Sequence, residues 1–164
     1  MSHSVTVSKS PEQVFDFITY RMAEYNLSIA KAHDKFEILK GDGLTEGAVF
    51  VAEEYQEDEG VRNRYVVKKV IPNRLIYYAS TPSLIYEKKN GEWVQTGSCN
   101  AYVYFDLEGN SSKTQLTQTI VIEMHNFFSK FLIDMVISGK EGNEWMDHLV
   151  EELESLKAAI ERHN

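Results

Sequence analysis

The side chains best placed to do chemistry in this sequence are one carboxylate, two phenols and one amide, each set in an extendable run. Glu54 lies in Phe50-Val51-Ala52-Glu53-Glu54, and Tyr65 lies in the run beyond the Glu57-Asp58-Glu59-Gly60 turn. An even-length hairpin loop between those runs puts Phe50, Ala52 and Glu54 on the same face as Tyr65 and Val67, because strand side chains alternate. Farther on, Leu116, Ile120, Ile122 and Met124 share one parity, and Gln118 shares it with them. That face is therefore the expected inner one. A carboxylate inside an apolar enclosure is where perturbed acidity and general-base chemistry are found, which makes Glu54 the candidate catalytic group. A buried amide must be satisfied by protein, water or a ligand, or cost about 1–3 kcal/mol. Gln118, Tyr65 and Tyr77 would orient a guest by hydrogen bonds. Phe50, Phe105, Trp145 and Leu149 would supply the apolar wall.

Other chemical motifs resolve to structural roles. Gly41-x-Gly43-x-x-x-Gly47 is one residue too long for a dinucleotide fingerprint and precedes no helix, so it reads as a turn. Gly97-Ser98-Cys99 lacks the second glycine of a nucleophile elbow and precedes a strand. Cys99, the single cysteine, excludes an intramolecular disulfide and reads as a small buried hydrophobe. The five histidines, at 3, 33, 125, 148 and 163, form no metal-binding spacing, and His148 reads as an edge position on the final helix. The expectation is no metal and no cofactor.

Composition narrows the partners. Against 17 Lys+Arg stand 25 Asp+Glu, a net charge of −8 over 164 residues. Such a chain lacks the basic face that nucleic acid or an anionic membrane requires, so no nucleic-acid partner is expected. No run reaches the roughly 18–20 apolar residues of a membrane span, and the N-terminus carries no signal-peptide pattern, so a cytoplasmic protein is expected. Residues 127–137 form the most apolar stretch. It reads as sheet packing, with transient membrane contact as the functional alternative. Nine Tyr, eight Phe and two Trp make 12% of the chain, and amphipathic rings in that number suit a lined cavity.

The elements that must position these groups read clearly. Ser4-Val5-Thr6-Val7-Ser8 alternates as a strand. Ser10-Pro11-Glu12-Gln13 is a capping box with proline at the first helical position, opening a helix striped by Val14, Phe15, Ile18 and Met22. A second short helix is expected around residues 25–30. Strands follow near 36–40, 48–52, 62–71, from 75, 99–107 and 114–124, with Asn90-Gly91 as a hairpin turn between two extendable runs. Successive hairpins without crossover helices make the sheet antiparallel. Trp145, Leu149, Leu153, Leu156 and Ile160 then mark one face of a long helix whose back carries Glu144, Asp147, Glu151, Glu154 and Glu161. The expected architecture is α+β over one domain, residues 1–164, with a curved antiparallel sheet wrapped round the C-terminal helix in β-α-α-β6-α order.

The opening Ser10-Pro11-Glu12-Gln13-Val14-Phe15-Asp16-Phe17-Ile18 resembles the entry motif of the START-related, Bet v 1-like (SRPBCC) superfamily, including its polyketide cyclase/dehydrase group. Leu44-Thr45-Glu46-Gly47-Ala48-Val49-Phe50, Pro72-Asn73-Arg74-Leu75 and Leu153-Glu154-Ser155-Leu156-Lys157 resemble it in the same order. The resemblance implies a helix-grip fold and an internal cavity for a small hydrophobic or amphipathic molecule such as a lipid, isoprenoid, quinone or aromatic polyketide. It also admits a cyclase or dehydratase built on a cavity carboxylate, or a chaperone-helper module. It transfers no shared catalytic residues.

Overall fold

The computed structural model describes residues 1–124 and 140–163, with residues 140–144 as backbone; segment 127–137 and its expected membrane contact lie outside the described residues. Strand β1 (Ser2–Val7) leads to helix α1 (Pro11–Ile29), whose start follows from its sequence. Ser10 Oγ accepts from the Gln13 backbone N–H, and the Gln13 side chain accepts from the Ser10 N–H. Two otherwise orphaned donors are thus satisfied at once. Ser10→Ala should cost about 1 kcal/mol, read as a thermal midpoint lowered by about 2–4 °C. The stretch expected to hold a second short helix runs on as the last turns of α1.

Six further strands follow: β2 (His33–Lys40), β3 (Val49–Gln56), β4 (Glu59–Ile71), β5 (Leu75–Lys89), β6 (Glu92–Gly109) and β7 (Thr114–Met124). They form one antiparallel sheet with β1, in the order β1-β7-β6-β5-β4-β3-β2. The first strand thus closes on the last, with the Met1 ammonium donating to the Ile120 carbonyl at 2.9 Å. Between β2 and β3, Gly43 has φ +147° and a Cβ there would run into the Thr19 carbonyl, which accepts from Leu44 N–H at 2.8 Å. That close approach pins the turn to α1, as the turn reading of the glycine cluster anticipates.

Helix α2 (Lys140–Arg162) ends the described chain. The sheet curves round it, giving an α+β helix-grip fold. Leu153, Leu156 and Ile160 are fully buried in the main core with Ile18, Phe50, Phe105 and Leu116, while Asp147, Glu151 and Glu154 face outward. Among the described residues no helix is long and apolar enough to cross a membrane.

Candidate functional site

The inner face of the sheet carries a cluster of rings. Phe50 is the hub, with ring centroids 5.0 Å from Phe36, 5.1 Å from Tyr65 and 5.0 Å from Tyr78. The two-residue Glu57-Asp58 turn sets this arrangement, because it pairs Phe50 directly opposite Tyr65 and so directs both inward. Phe105 joins through Tyr78 at 6.2 Å and is itself fully buried. The result is a hydrophobic, aromatic-lined interior of the kind that accepts small molecules.

Polar groups enter this interior from four elements. Gln118, 2% exposed on β7, donates from Nε2 to Glu152 Oε2 at 3.2 Å, and its own Oε1 has no partner. His33 opens β2 opposite Glu54 of β3. From α2 come His148 and Glu152, one helical turn apart on the same face. His148 Nε2 stands 3.6 Å from Glu54 Oε2, and its ring lies edge-on to His33 at 5.4 Å. The Glu54 side chain is 23% exposed, so the carboxylate straddles the boundary between interior and solvent.

These groups disturb one another. Burial raises the pKa of Glu152, and the nearby Glu54 charge raises it further; His33, His148 and the Gln118 hydrogen bond act in the opposite sense. Burial pulls His148 down, yet Glu54, Glu152 and Glu151 together hold it above its ordinary value. Burial pushes Tyr65 and Tyr78 well above 10, with Glu54 and Glu152 contributing to both. A phenol held neutral when folded but free to ionise when unfolded stabilises fully below the unfolded value. That stabilisation is lost as pH rises through the folded value. Stability should therefore fall above about pH 10, with the two inner phenols ionising only as the chain unfolds. Tyr65→Phe should move the alkaline unfolding midpoint to higher pH, followed by phenolate absorbance against circular dichroism.

Of the residues expected at the site from sequence, Phe50, Tyr65, Phe105 and Gln118 face the interior, and Glu54 stands at its edge. Leu149 is 1% exposed on α2. Trp145 is half-buried at the rim, where Nε1 donates to Glu59 Oε2 at 3.2 Å and ties the start of α2 to the β3–β4 hairpin. It borders an open groove of about 330 Å³ lined also by Gln56 and Lys88. Tyr77 is the correction. It lies on the outer face, stacked on Tyr104 at 4.5 Å and 3°, while its neighbour Tyr78 points inward. The edge position expected for His148 is a second correction, since the residue is 7% exposed. Ile122 shares the inner parity of β7 but is exposed, because burial fades toward that end of the strand. Cys99 is buried as expected, and burial raises its thiol beyond the range of a ready nucleophile.

No family model matches this chain, and no curated protein matches it. Solved structures do. Ginseng major latex-like protein 151 from Panax ginseng superposes with a TM-score of 0.65 at 9% identity, over 97% of this chain and 95% of that one. Norcoclaurine synthase from Thalictrum flavum gives 0.61 at 11% identity, over 99% and 86%. Zhui aromatase/cyclase from Streptomyces sp. R1128 gives 0.58 at 16% identity, over 99% and 93%. The chain shares their helix-grip fold. At such identities the likeness is one of helix-grip architecture and carries no ligand or reaction across.

Proposed function

We propose that this helix-grip protein binds one small hydrophobic or amphipathic molecule, of the lipid, isoprenoid, quinone or aromatic polyketide kind, in the interior between sheet and α2. The carrying observation is Gln118. It is an amide 2% exposed, set among buried rings, with its carbonyl oxygen unpartnered. A guest with an apolar body and one donor group answers both features: the rings bury the body, at roughly 25 cal/mol per Å² before ordering costs, and the amide fixes the donor. Carriage or sensing is the corresponding role. The test is a thermal-shift and fluorescence titration across aromatic and lipid panels, with Gln118→Leu beside the wild type. Guests bearing a donor should lose about 5- to 100-fold in affinity in the variant, and guests without one should lose little. Equal affinities in both proteins for donor-bearing guests would remove Gln118 from the reading.

Glu54 favours a second reading. A carboxylate at the edge of the interior, 3.6 Å from a buried imidazole, supports it: Glu54 would act as general base in a cyclisation or dehydration, with an inner tyrosine polarising a carbonyl. This reading requires turnover of a polyketide-like substrate that Glu54→Gln lowers by about 10²–10⁴-fold. Tight binding without turnover leaves carriage as the function.

A further inference from the structure

We propose that His33, His148 and Glu152 form a site for one divalent first-row transition-metal ion. One donor atom from each of the three lies within 4.8 Å of the others. The state of the two imidazoles supports the assignment. His33 Nδ1 is 2.7 Å from the Asn26 carbonyl, and since a carbonyl only accepts, Nδ1 carries the proton. The Nε2 lone pair of the neutral ring is therefore free, and Nε2 is buried with no hydrogen-bond partner. His148 Nε2 is likewise buried without a hydrogen bond. The residues are 8% and 7% exposed, so water does not readily satisfy either nitrogen. Leaving His33 Nε2 unpaired is costly in a folded protein, and an ion would satisfy it together with His148 Nε2, whose neighbour Glu54 Oε2 stands 3.6 Å away, beyond hydrogen-bond distance.

The surrounding contacts have the form of a supporting shell. Asn26 fixes the tautomer and orientation of His33, and Gln118 holds Glu152 through the 3.2 Å bond from its Nε2. Glu54, 3.6 Å from His148, adds a second negative charge beside the cluster. Two nitrogen ligands and one carboxylate oxygen suit zinc, cobalt or ferrous iron, whereas calcium and magnesium prefer all-oxygen sets. Around an ion with bonds of about 2.0–2.1 Å, tetrahedral ligands sit about 3.3 Å apart, so side-chain rotation must draw the donors inward. Three protein ligands would leave at least one coordination position open.

The site is independent of any organic guest, so its test needs none. The full chain, stripped with chelator, is titrated with Zn²⁺ by calorimetry and with Co²⁺ by visible absorption. The expected result is one ion per chain, cobalt ligand-field bands, a higher thermal midpoint and no response to Mg²⁺ or Ca²⁺. His33→Ala and His148→Ala should each weaken binding at least about tenfold, and Gln118→Ala about 10- to 100-fold through Glu152. His163→Ala, at the other end of α2, should leave it unchanged. Glu152→Gln keeps the side-chain shape while removing a buried charge, so it should fold and still bind more weakly. That variant decides the matter if a histidine variant does not fold. A wild type without saturable Zn²⁺ or Co²⁺ response, or affinity undiminished in the histidine variants or in Glu152→Gln, would overturn the site.

Discussion

Phe50→Ala will destabilise the protein by about 3–5 kcal/mol, lowering the thermal midpoint by about 6–20 °C. The residue is 1% exposed and its ring is central to the cluster, touching Phe36, Tyr65 and Tyr78 at 5.0–5.1 Å. Truncation forfeits the transfer free energy of the ring and leaves a void that three large, well-packed neighbours cannot fill. Against a typical total of about 5–15 kcal/mol, that loss takes a large share of the stability. Phe50→Leu, which retains most of the volume, should cost much less. Denaturant unfolding of the two variants measures the difference. Equal, small losses from both would mean that the ring is not the hub of the inner face.

Leu153→Ala will cost about 2–5 kcal/mol by the same measurement. Leu153 is completely buried and belongs to the main core, where α2 packs chiefly against β1 and α1. Leu149, one turn earlier, is equally buried but lies outside that cluster, beside His148. Leu149→Ala should therefore cost less and act more strongly on guest binding. The two halves of α2 have different work: the C-terminal half clamps the fold, and the half with Trp145, His148 and Glu152 presents side chains to the site. Reversed costs for the two leucines would contradict that division.

Most of the sheet was legible because turn chemistry and alternation agree. A two-residue turn at Glu57-Asp58 fixes the parity of β3 and β4, and that parity places Phe50 and Tyr65 correctly. Gln118 follows from the same reasoning on β7. Tyr77 fails for a physical reason. In the doublet Tyr77-Tyr78 each residue type suits either face, and the β4–β5 pairing carries register shifts between Arg62 and Tyr65 and between Val67 and Lys69. A slip of one residue exchanges the faces, so parity cannot be carried across such irregularities from sequence.

The histidine–carboxylate cluster was not legible as a cluster, because His33 and His148 meet only through the fold. A partial signal was present in α2. The apolar face marked by Trp145, Leu149, Leu153 and Leu156 has its intermediate places at 148 and 152, and a helix buried over a wide stripe turns those places inward as well. His148 and Glu152 occupy them. Polar residues at such positions, four apart and able to share one partner, are a sign of a buried site rather than of a solvated flank.

The most direct measurement of the central claim is native mass spectrometry of the protein purified without denaturant, followed by addition of single members of an aromatic and lipid panel. Retention of one apolar or amphipathic molecule per chain, or saturable one-to-one uptake from the panel accompanied by a higher thermal midpoint, is the predicted result. A bare mass throughout, with no midpoint moved by any compound, would contradict it.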